Sequence, residues 1–376
     1  VVTTPELGEN NKTNVKTKLA VTVSNAGDKD AQVELTARVF PRNGSVDQAI
    51  GSTTVAAQTL AKGTSKTIDA ELMAANPKLW STDDPNLYTV RCELKVDGKI
   101  VDTYDVEFGY RFFSFDANKG FSLNGKPTKI KGVCLHHDQG ALGSVSDRAA
   151  IERQVKIMKD MGANSIRTSH NAPSRELIEV CNEQGMLIDE EFFDGWTSPK
   201  NGNGKDYARF FNQKMGKTEL VGGEENKTWA QFDLEQGIAR DINDPSVIMW
   251  SLGNEMSEGT SGVRNFKSVQ KNLIDWAKAA DPTRPVTTGD NRFKGNGNAE
   301  LNPQGIADAN GVVGFNYMQG SRNNQKDYDE VHKEHPTWKI IGSETASAIN
   351  SRGVYDRLNG GGQTADQQLT SYDNSK

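Results

Sequence analysis

Residues 164–191 read "NSIRTSHNAPSRELIEVCNEQGMLIDEE". A strand-like "NSIRTS" is followed by a helical "PSRELIEVCNEQG" and then by a second strand, "MLIDEE". A strand, a helix and a strand in that order form a unit whose two strands run parallel. The alternation extends in both directions. Upstream lie the strand "TKIKGVCLH" and the helix "DRAAIERQVKIMKDMG", which sets Ile151, Val155, Met158 and Met161 on one face. Ser146 is the expected N-cap of that helix and Gly162 its stop. Downstream come a helix over 229–241, the strand "SVIMWSL", a helix over 262–280, "RPVTTG", "GVVGFNY", a helix near 325–334 and "WKIIGSE". Seven strands separated by helices or loops point to a (β/α)8 TIM barrel rather than an open sheet. After Glu344 the sequence is polar and Gly-rich, with no eighth apolar run. The expectation is a barrel truncated after about strand 7, belonging to a piece of a longer chain.

The first 115 residues follow a different period. "VKTKLAVTVSNA" and "DAQVELTARVF" alternate apolar and polar residues, with "NAGDKD" as turn chemistry between them. "KGTSKTIDAEL" and "LYTVRCELKVDGKIVDTYDVEFGYR" continue the pattern, and Asp97–Gly98 is a hairpin signal. About seven short strands in this space predict an all-β immunoglobulin-like sandwich over 1–115, with the barrel over 116–376. No catalytic cluster is visible in the sandwich, so its expected role is support.

Composition narrows the function. A net charge of −6 offers no basic surface for nucleic acid or anionic lipid. No apolar run approaches the roughly 20 residues of a membrane-spanning helix. The chain opens on Val1, and no signal peptide is visible. Cys92, Cys134 and Cys181 cannot all pair with one another and none lies in a C-x-x-C arrangement, so buried free thiols are expected. Periplasmic, secreted and cytoplasmic locations all fit that usage.

The strand ends carry the chemistry. The first ends in His136, His137 and Asp138, the second in Arg167, Thr168, Ser169, His170 and Asn171. The third ends in Asp189, Glu190 and Glu191, with Asp194 beyond; the fourth gives Asn254 and Glu255, the sixth Asn316 and Tyr317, the seventh Glu344. A single polar residue at a strand end is ordinarily a cap or a surface group. In a barrel, however, all these ends converge on one rim, where barrel enzymes keep their chemistry. Glu255 and Glu344 would face one another across the mouth. Two carboxyls about 5–5.5 Å apart suit a retaining glycosidase, one as acid/base and the other as nucleophile. A metal hydrolase built on His136, His137, His170, Asp138 and Asp194 is the competing reading, but H-x-H and H-E-x-x-H spacings are missing.

"GVCLHHDQGALG", "NSIRTSHNAPSRELIEVCNEQGMLIDEEFFDGW", "DPSVIMWSLGNE" and "IIGSETAS" resemble, in order, the barrel signatures of glycoside hydrolase family 2, the β-galactosidase, β-glucuronidase and β-mannosidase group. The resemblance implies Glu255 as acid/base, Glu344 as nucleophile and Asn254 as a ligand of the sugar 2-hydroxyl. It implies Tyr317 as a hydrogen-bond donor to the nucleophile, Arg167 as its orienter, and His136 and His170 as hydroxyl-binding residues. The implied partner is a glycoside, oligosaccharide or polysaccharide; a homo-oligomer is one form open to the full-length protein, and the sequence does not decide its oligomeric state. "WSLGNE" and "LHHD" favour the β-galactosidase branch. A β-glucuronidase would want a basic residue for the substrate carboxylate, and an inactive carbohydrate-binding barrel would have lost one of the glutamates. Some family members bind Mg2+ through an acidic residue and a nearby His after the third strand; here Asp194 is present, but Trp196 stands where that His would fall. No required cofactor is therefore expected. The long segment 195–226 is rich in aromatic residues, which predicts a fold over the barrel mouth with Trp196 beside the sugar and Asp194 at the substrate.

Overall fold

The computed structural model describes residues 1–216, 224–256, 265–291, 301–318 and 328–345. The N-terminal region is a sandwich of seven strands: β1 (Val2–Pro5), β2 (Asn14–Ser24), β3 (Ala31–Pro41), β4 (Gly51–Leu60), β5 (Ser65–Ala75), β6 (Tyr88–Val96) and β7 (Lys99–Phe108). They pair antiparallel in two sheets, β1-β2-β5 and β4-β3-β6-β7. In β2 every second residue from Val15 to Val23 is buried, as period two requires of a sheet with one wet face. Val15, Leu19 and Val21 meet Val33, Leu35 and Val90 of the other sheet to make the core.

A small antiparallel sheet follows, formed by β8 (Phe113–Asp116), β9 (Gly120–Leu123) and β10 (Lys126–Pro127). In the sequence this stretch marks only the change of period. In the structure its Phe121 and Leu123 pack with Leu187, Met249 and Val312 near the N-terminal ends of the barrel strands, so it closes the barrel floor.

The barrel strands are β11 (Gly132–His136), β12 (Ser165–Ser169), β13 (Leu187–Glu191), β14 (Val247–Asn254), β15 (Val286–Asp290), β16 (Val312–Asn316) and β17 (Lys339–Glu344). They lie side by side in chain order, all parallel. Every residue of β12, β13, β14 and β16 is buried, because the barrel interior covers one face and helices the other. Those helices are α1 (Arg148–Asp160), α2 (Arg175–Gln184), α3 (Ala208–Phe211), α4 (Trp229–Asp241), α5 (Phe266–Ala280), α6 (Leu301–Asp308) and α7 (Tyr328–Glu334). No described helix is long and apolar enough to cross a membrane. Among the described residues β11 and β17 are the two edges of the sheet, and an open cleft of about 1420 Å³ lies along them. The reading of 346–376 as lacking an eighth strand falls outside the described residues.

Some local expectations change. Asp147 rather than Ser146 caps α1, its carboxylate accepting from the Ala150 amide at 2.9 Å, while Ser146 donates to Glu176 at 2.6 Å. Met161 is 64% exposed, because the helix has already ended there. Helices α3 and α6 have no clear periodic signal in the sequence. All three cysteines are free thiols; Cys92 and Cys181 are buried and Cys134 half-buried.

The segment after β13 also departs from expectation. Trp196 is 1% exposed, so neither ring face is open for a sugar to stack on. It stacks on Phe266 at 5.1 Å and donates its indole N–H to the Leu252 carbonyl at 2.8 Å. Tyr207 stacks on Phe193 and hydrogen-bonds Asp233 of α4, and Phe211 is buried beside them. These aromatics anchor the loop to the helix layer. Apolar rings given a choice bury against the core before they pave a wet rim. Residues 217–223 of the segment lie outside the described residues.

The sandwich is tied to the base of the barrel. Trp80 donates to the Asn182 carbonyl at 2.8 Å, and Arg42 pairs with Glu183 at 2.6 Å. Arg111 donates to the carbonyls of Pro245 and Val247 at 2.5 and 2.6 Å. Gly109 has to be glycine for this contact, since a Cβ there would stand 2.8 Å from the Pro245 ring.

Behind β13, three carboxylates share two cations. Arg175 binds Asp241 and Asp244, Arg240 binds Asp241, and Asp241 is fully buried. Glu190 is fully buried among them, with no donor on either oxygen and Arg240 no nearer than 3.8 Å. Burial first, and then the neighbouring Asp241 charge, raise Glu190 well above the usual carboxylate range. Folded Glu190 therefore keeps a proton that the unfolded chain releases near its ordinary value. Its contribution to stability is complete below that value and is lost as pH rises toward the raised one. Relative to Glu190→Gln, the parent should lose melting temperature progressively from pH 5 to pH 8; a gap that does not change with pH would contradict this protonation. Separately, Trp196→Ala should cost about 3–5 kcal/mol in urea unfolding, the usual consequence of emptying a large aromatic site.

Candidate active site

The barrel places its polar strand ends around one guanidinium. Arg167, at the third position of β12, is only 5% exposed. It donates to Glu344 Oε1 at 2.7 Å, to Glu191 Oε2 at 2.7 Å and to Asn254 Oδ1 at 2.9 Å. Burial works against its charge, but Glu191, Asp189 and the bond to Glu344 outweigh that and raise its pKa further. The approach is close enough to dictate a glycine on β15. A Cβ on Gly289 would stand 2.8 Å from Arg167 Nη2, 2.9 Å from Asn316 Oδ1 and 3.0 Å from Asn254 Oδ1.

Glu191 is the anchor of this cluster. It is fully buried and accepts from Arg167 and from Ser251 Oγ at 2.6 Å, while its own amide donates to the Thr168 hydroxyl at 3.0 Å. Its other oxygen meets His170 Nδ1 at 2.7 Å. Burial alone would raise its pKa, but Arg167, His170 and Ser251 together bring it below the ordinary value. The other ring nitrogen, His170 Nε2, lies 3.4 Å from Asn254 Nδ2 and 3.7 Å from Glu344 Oε1. His136 stands edge-on to His170 with ring centroids 5.2 Å apart. Partial burial, then the neighbouring His170, lower the His136 pKa, which favours a neutral ring. Below Arg167, the buried Asp189 has one oxygen 3.9 Å from the guanidinium and the other without a partner; burial raises its pKa to about 7.

The two glutamates sit at the ends of β14 and β17 and are joined through this cluster. Tyr317 donates its hydroxyl to Glu344 Oε2, so that Arg167 and Tyr317 each take one oxygen of the carboxylate. Asn316 donates to both Asn254 Oδ1 at 3.0 Å and Glu255 Oε1 at 2.9 Å, and its own side-chain oxygen accepts from Ser343 at 2.6 Å. A continuous path therefore runs Glu344, Arg167, Asn254, Asn316, Glu255. Glu255 and Tyr317 both have left-handed backbones, φ +47° and +59°. For residues with side chains that conformation costs on the order of 1–3 kcal/mol and persists only where the surroundings hold it. Here it turns the chain sharply at the strand ends and aims both side chains across the mouth.

Of the expected residues, Arg167, His170, Asn254, Tyr317, Glu255 and Glu344 come together in one network, with His136 against it. His137 and Asp138 are exposed to one side. Asp194 touches the network through Asn254 Nδ2 at 3.3 Å but is chiefly bound by Lys200 at 2.5 Å. Trp196 lies beside Gly253 but is buried, so it offers a sugar no ring face. After the third strand, Asp194 is paired with the Lys200 ammonium and Trp196 is turned into the core. Among the described residues no group of three or more His, Cys, Asp or Glu is arranged to hold a metal. Sequence reading missed Gly289, Ser251 and Lys200. Gly289 alone left a trace, as a glycine ending a strand.

Similarity to known proteins identifies the family. Residues 117–372 match "Glycosyl hydrolases family 2, TIM barrel domain", and residues 1–111 match "Glycosyl hydrolases family 2". The β-galactosidase BoGH2A of Bacteroides ovatus is 38% identical over 314 residues, covering 76% of this chain and 34% of that protein. A β-glucuronidase of Bacteroides fragilis is 30% identical over 290 residues, covering 76% of this chain and 38% of that protein. The crystal structure of a glycosyl hydrolase family 2 member from Bacteroides cellulosilyticus superimposes with a TM-score of 0.78 at 30% identity, covering 92% of this chain and 40% of that one. A β-glycosidase from Bacteroides vulgatus gives 0.69 at 31% identity, covering 90% and 37%. The chain thus spans between a third and two-fifths of the length of each of these four proteins. Its barrel, its sandwich and the ordered signatures along its rim make it a member of glycosyl hydrolase family 2.

Proposed function

We propose that these residues form the catalytic centre of a retaining exo-β-glycosidase that removes terminal β-linked sugars, β-D-galactosides foremost. The observation that carries the reading is the path from Glu344 through Arg167, Asn254 and Asn316 to Glu255, which fixes two carboxylates from different strands in one frame. Glu344 attacks the anomeric carbon to form a glycosyl ester, while Glu255 gives its proton to the departing oxygen. Glu255 then takes a proton from water, which attacks the same carbon and releases Glu344. Arg167 and Tyr317 fix the attacking oxygens in direction, a matter of orientation worth several orders of magnitude in rate. Asn254, His136, His170 and Asp194 are the groups available for sugar hydroxyls. The galactoside preference rests on "WSLGNE", "LHHD" and the likeness to a β-galactosidase. The second reading, a β-glucuronidase, rests on the likeness to one. It needs a cation for the substrate carboxylate, and Lys200 is already engaged by Asp194 and the Asn254 carbonyl.

In the full chain, Glu344→Gln should abolish formation of the glycosyl-enzyme, read by mass spectrometry with a 2-deoxy-2-fluoro glycoside. Glu255→Gln should still turn over an activated aryl glycoside, and azide should accelerate it and yield the β-glycosyl azide. An α-azide would reverse the two assignments. In the parent, the first product seen by proton NMR should be the β-anomer; an initial α-anomer would mean inversion.

A further inference from the structure

The loop after β13 sends one cation into the rim without offering it to a ligand. Lys200 is held at its own amide by Asp206 Oδ2 at 3.2 Å. Its ammonium donates to Asp194 Oδ1 at 2.5 Å, to the Asp194 carbonyl at 3.2 Å and to the Asn254 carbonyl at 2.9 Å. An ammonium has three protons, so these acceptors use all of them. The third acceptor matters most, because the Asn254 carbonyl and the Glu255 amide are the two ends of one peptide group. The Glu255 N–H donates to the Gly289 carbonyl at 2.8 Å. That peptide is therefore clamped from both sides, by β15 through its N–H and by the loop through its C=O. It is also the peptide that feeds the left-handed turn at Glu255, φ +47°.

We propose that Lys200 is a positioning residue for the acid/base: by pinning the Asn254–Glu255 peptide it holds Glu255 in the turn that aims its carboxyl at the glycosidic oxygen. The inference rests on the reading of Glu255 as the acid/base. Releasing the carbonyl lets the turn relax toward ordinary backbone and moves the carboxyl off line. Proton delivery then suffers, while attack by Glu344, held separately by Arg167 and Tyr317, does not.

The dependence on leaving group separates these effects, since a good leaving group needs little proton donation. In the full chain, kcat/KM is measured for aryl β-glycosides from 2,4-dinitrophenyl to phenyl, in the parent, Lys200→Met, Lys200→Arg and Glu255→Gln. Lys200→Met should lose about tenfold more on the phenyl than on the dinitrophenyl glycoside. Lys200→Arg, which keeps a donor and the charge, should recover part of that difference. Should Lys200→Met fail to show a cooperative thermal transition, Lys200→Gln carries the same comparison. An equal loss across all leaving groups, or none at all, overturns the inference when Glu255→Gln itself is steeply dependent on leaving group. A Glu255→Gln variant with no such dependence instead overturns the acid/base reading, and the inference falls with it.

Discussion

A buried guanidinium cannot be left half-paired. Taking Arg167 out of water is expensive, and only a full set of acceptors in good geometry makes it tolerable. That requirement organises the rim. Glu191 is buried and charged because Arg167 is there, and His170 is fixed because Glu191 is there. Gly289 is bare so that the guanidinium can reach Asn254, and Glu344 is oriented by what remains of the donor fork. The barrel supplies parallel strands whose ends meet; the pairing of one cation decides which residues those ends must carry.

Preorganisation of this kind comes with strain and desolvation elsewhere. Two left-handed residues, a carboxylate with an orphan oxygen at Asp189 and a second buried acid at Glu190 all lie within or just behind the strands that bear the site. None is favourable in isolation. Each survives because the surrounding strands and helices are packed tightly enough to impose it, which is how binding sites generally store the energy they need.

The barrel is legible in the sequence because its period is short-range: "SVIMWSL" and "RELIEVCNEQ" announce a strand and a helix without any knowledge of their neighbours. Glu255 and Glu344 are legible for a different reason. Each closes an apolar run at a strand end, and a barrel gathers such ends on one rim. What stays hidden depends on distant contacts. Gly289 is required by Arg167 of β12 and Asn316 of β16, and no local pattern encodes that. Lys200 reads as one more surface lysine in "SPKNGNGK", yet its partners are two carbonyls and a carboxylate brought near only by folding. Trp196 misleads because an aromatic in a long loop suits a sugar platform and a hydrophobic anchor equally well; only the position of Phe266 separates them.

The attachment of Arg111 to the Pro245 and Val247 carbonyls bears on how such a molecule can be recombined. Those carbonyls begin β14, the strand whose far end delivers Glu255, so the sandwich grips the opposite end of the same rod. Domains joined by a polar, slippery contact can be shuffled as independent modules. This pair is not of that kind: a foreign sandwich without an arginine at that place would leave the Val247 carbonyl to Arg284 alone, and one without a glycine where Gly109 meets Pro245 would clash with the barrel. The N-terminal domain is better regarded as part of the barrel's foundation than as a passenger, and the two are expected to have been inherited together.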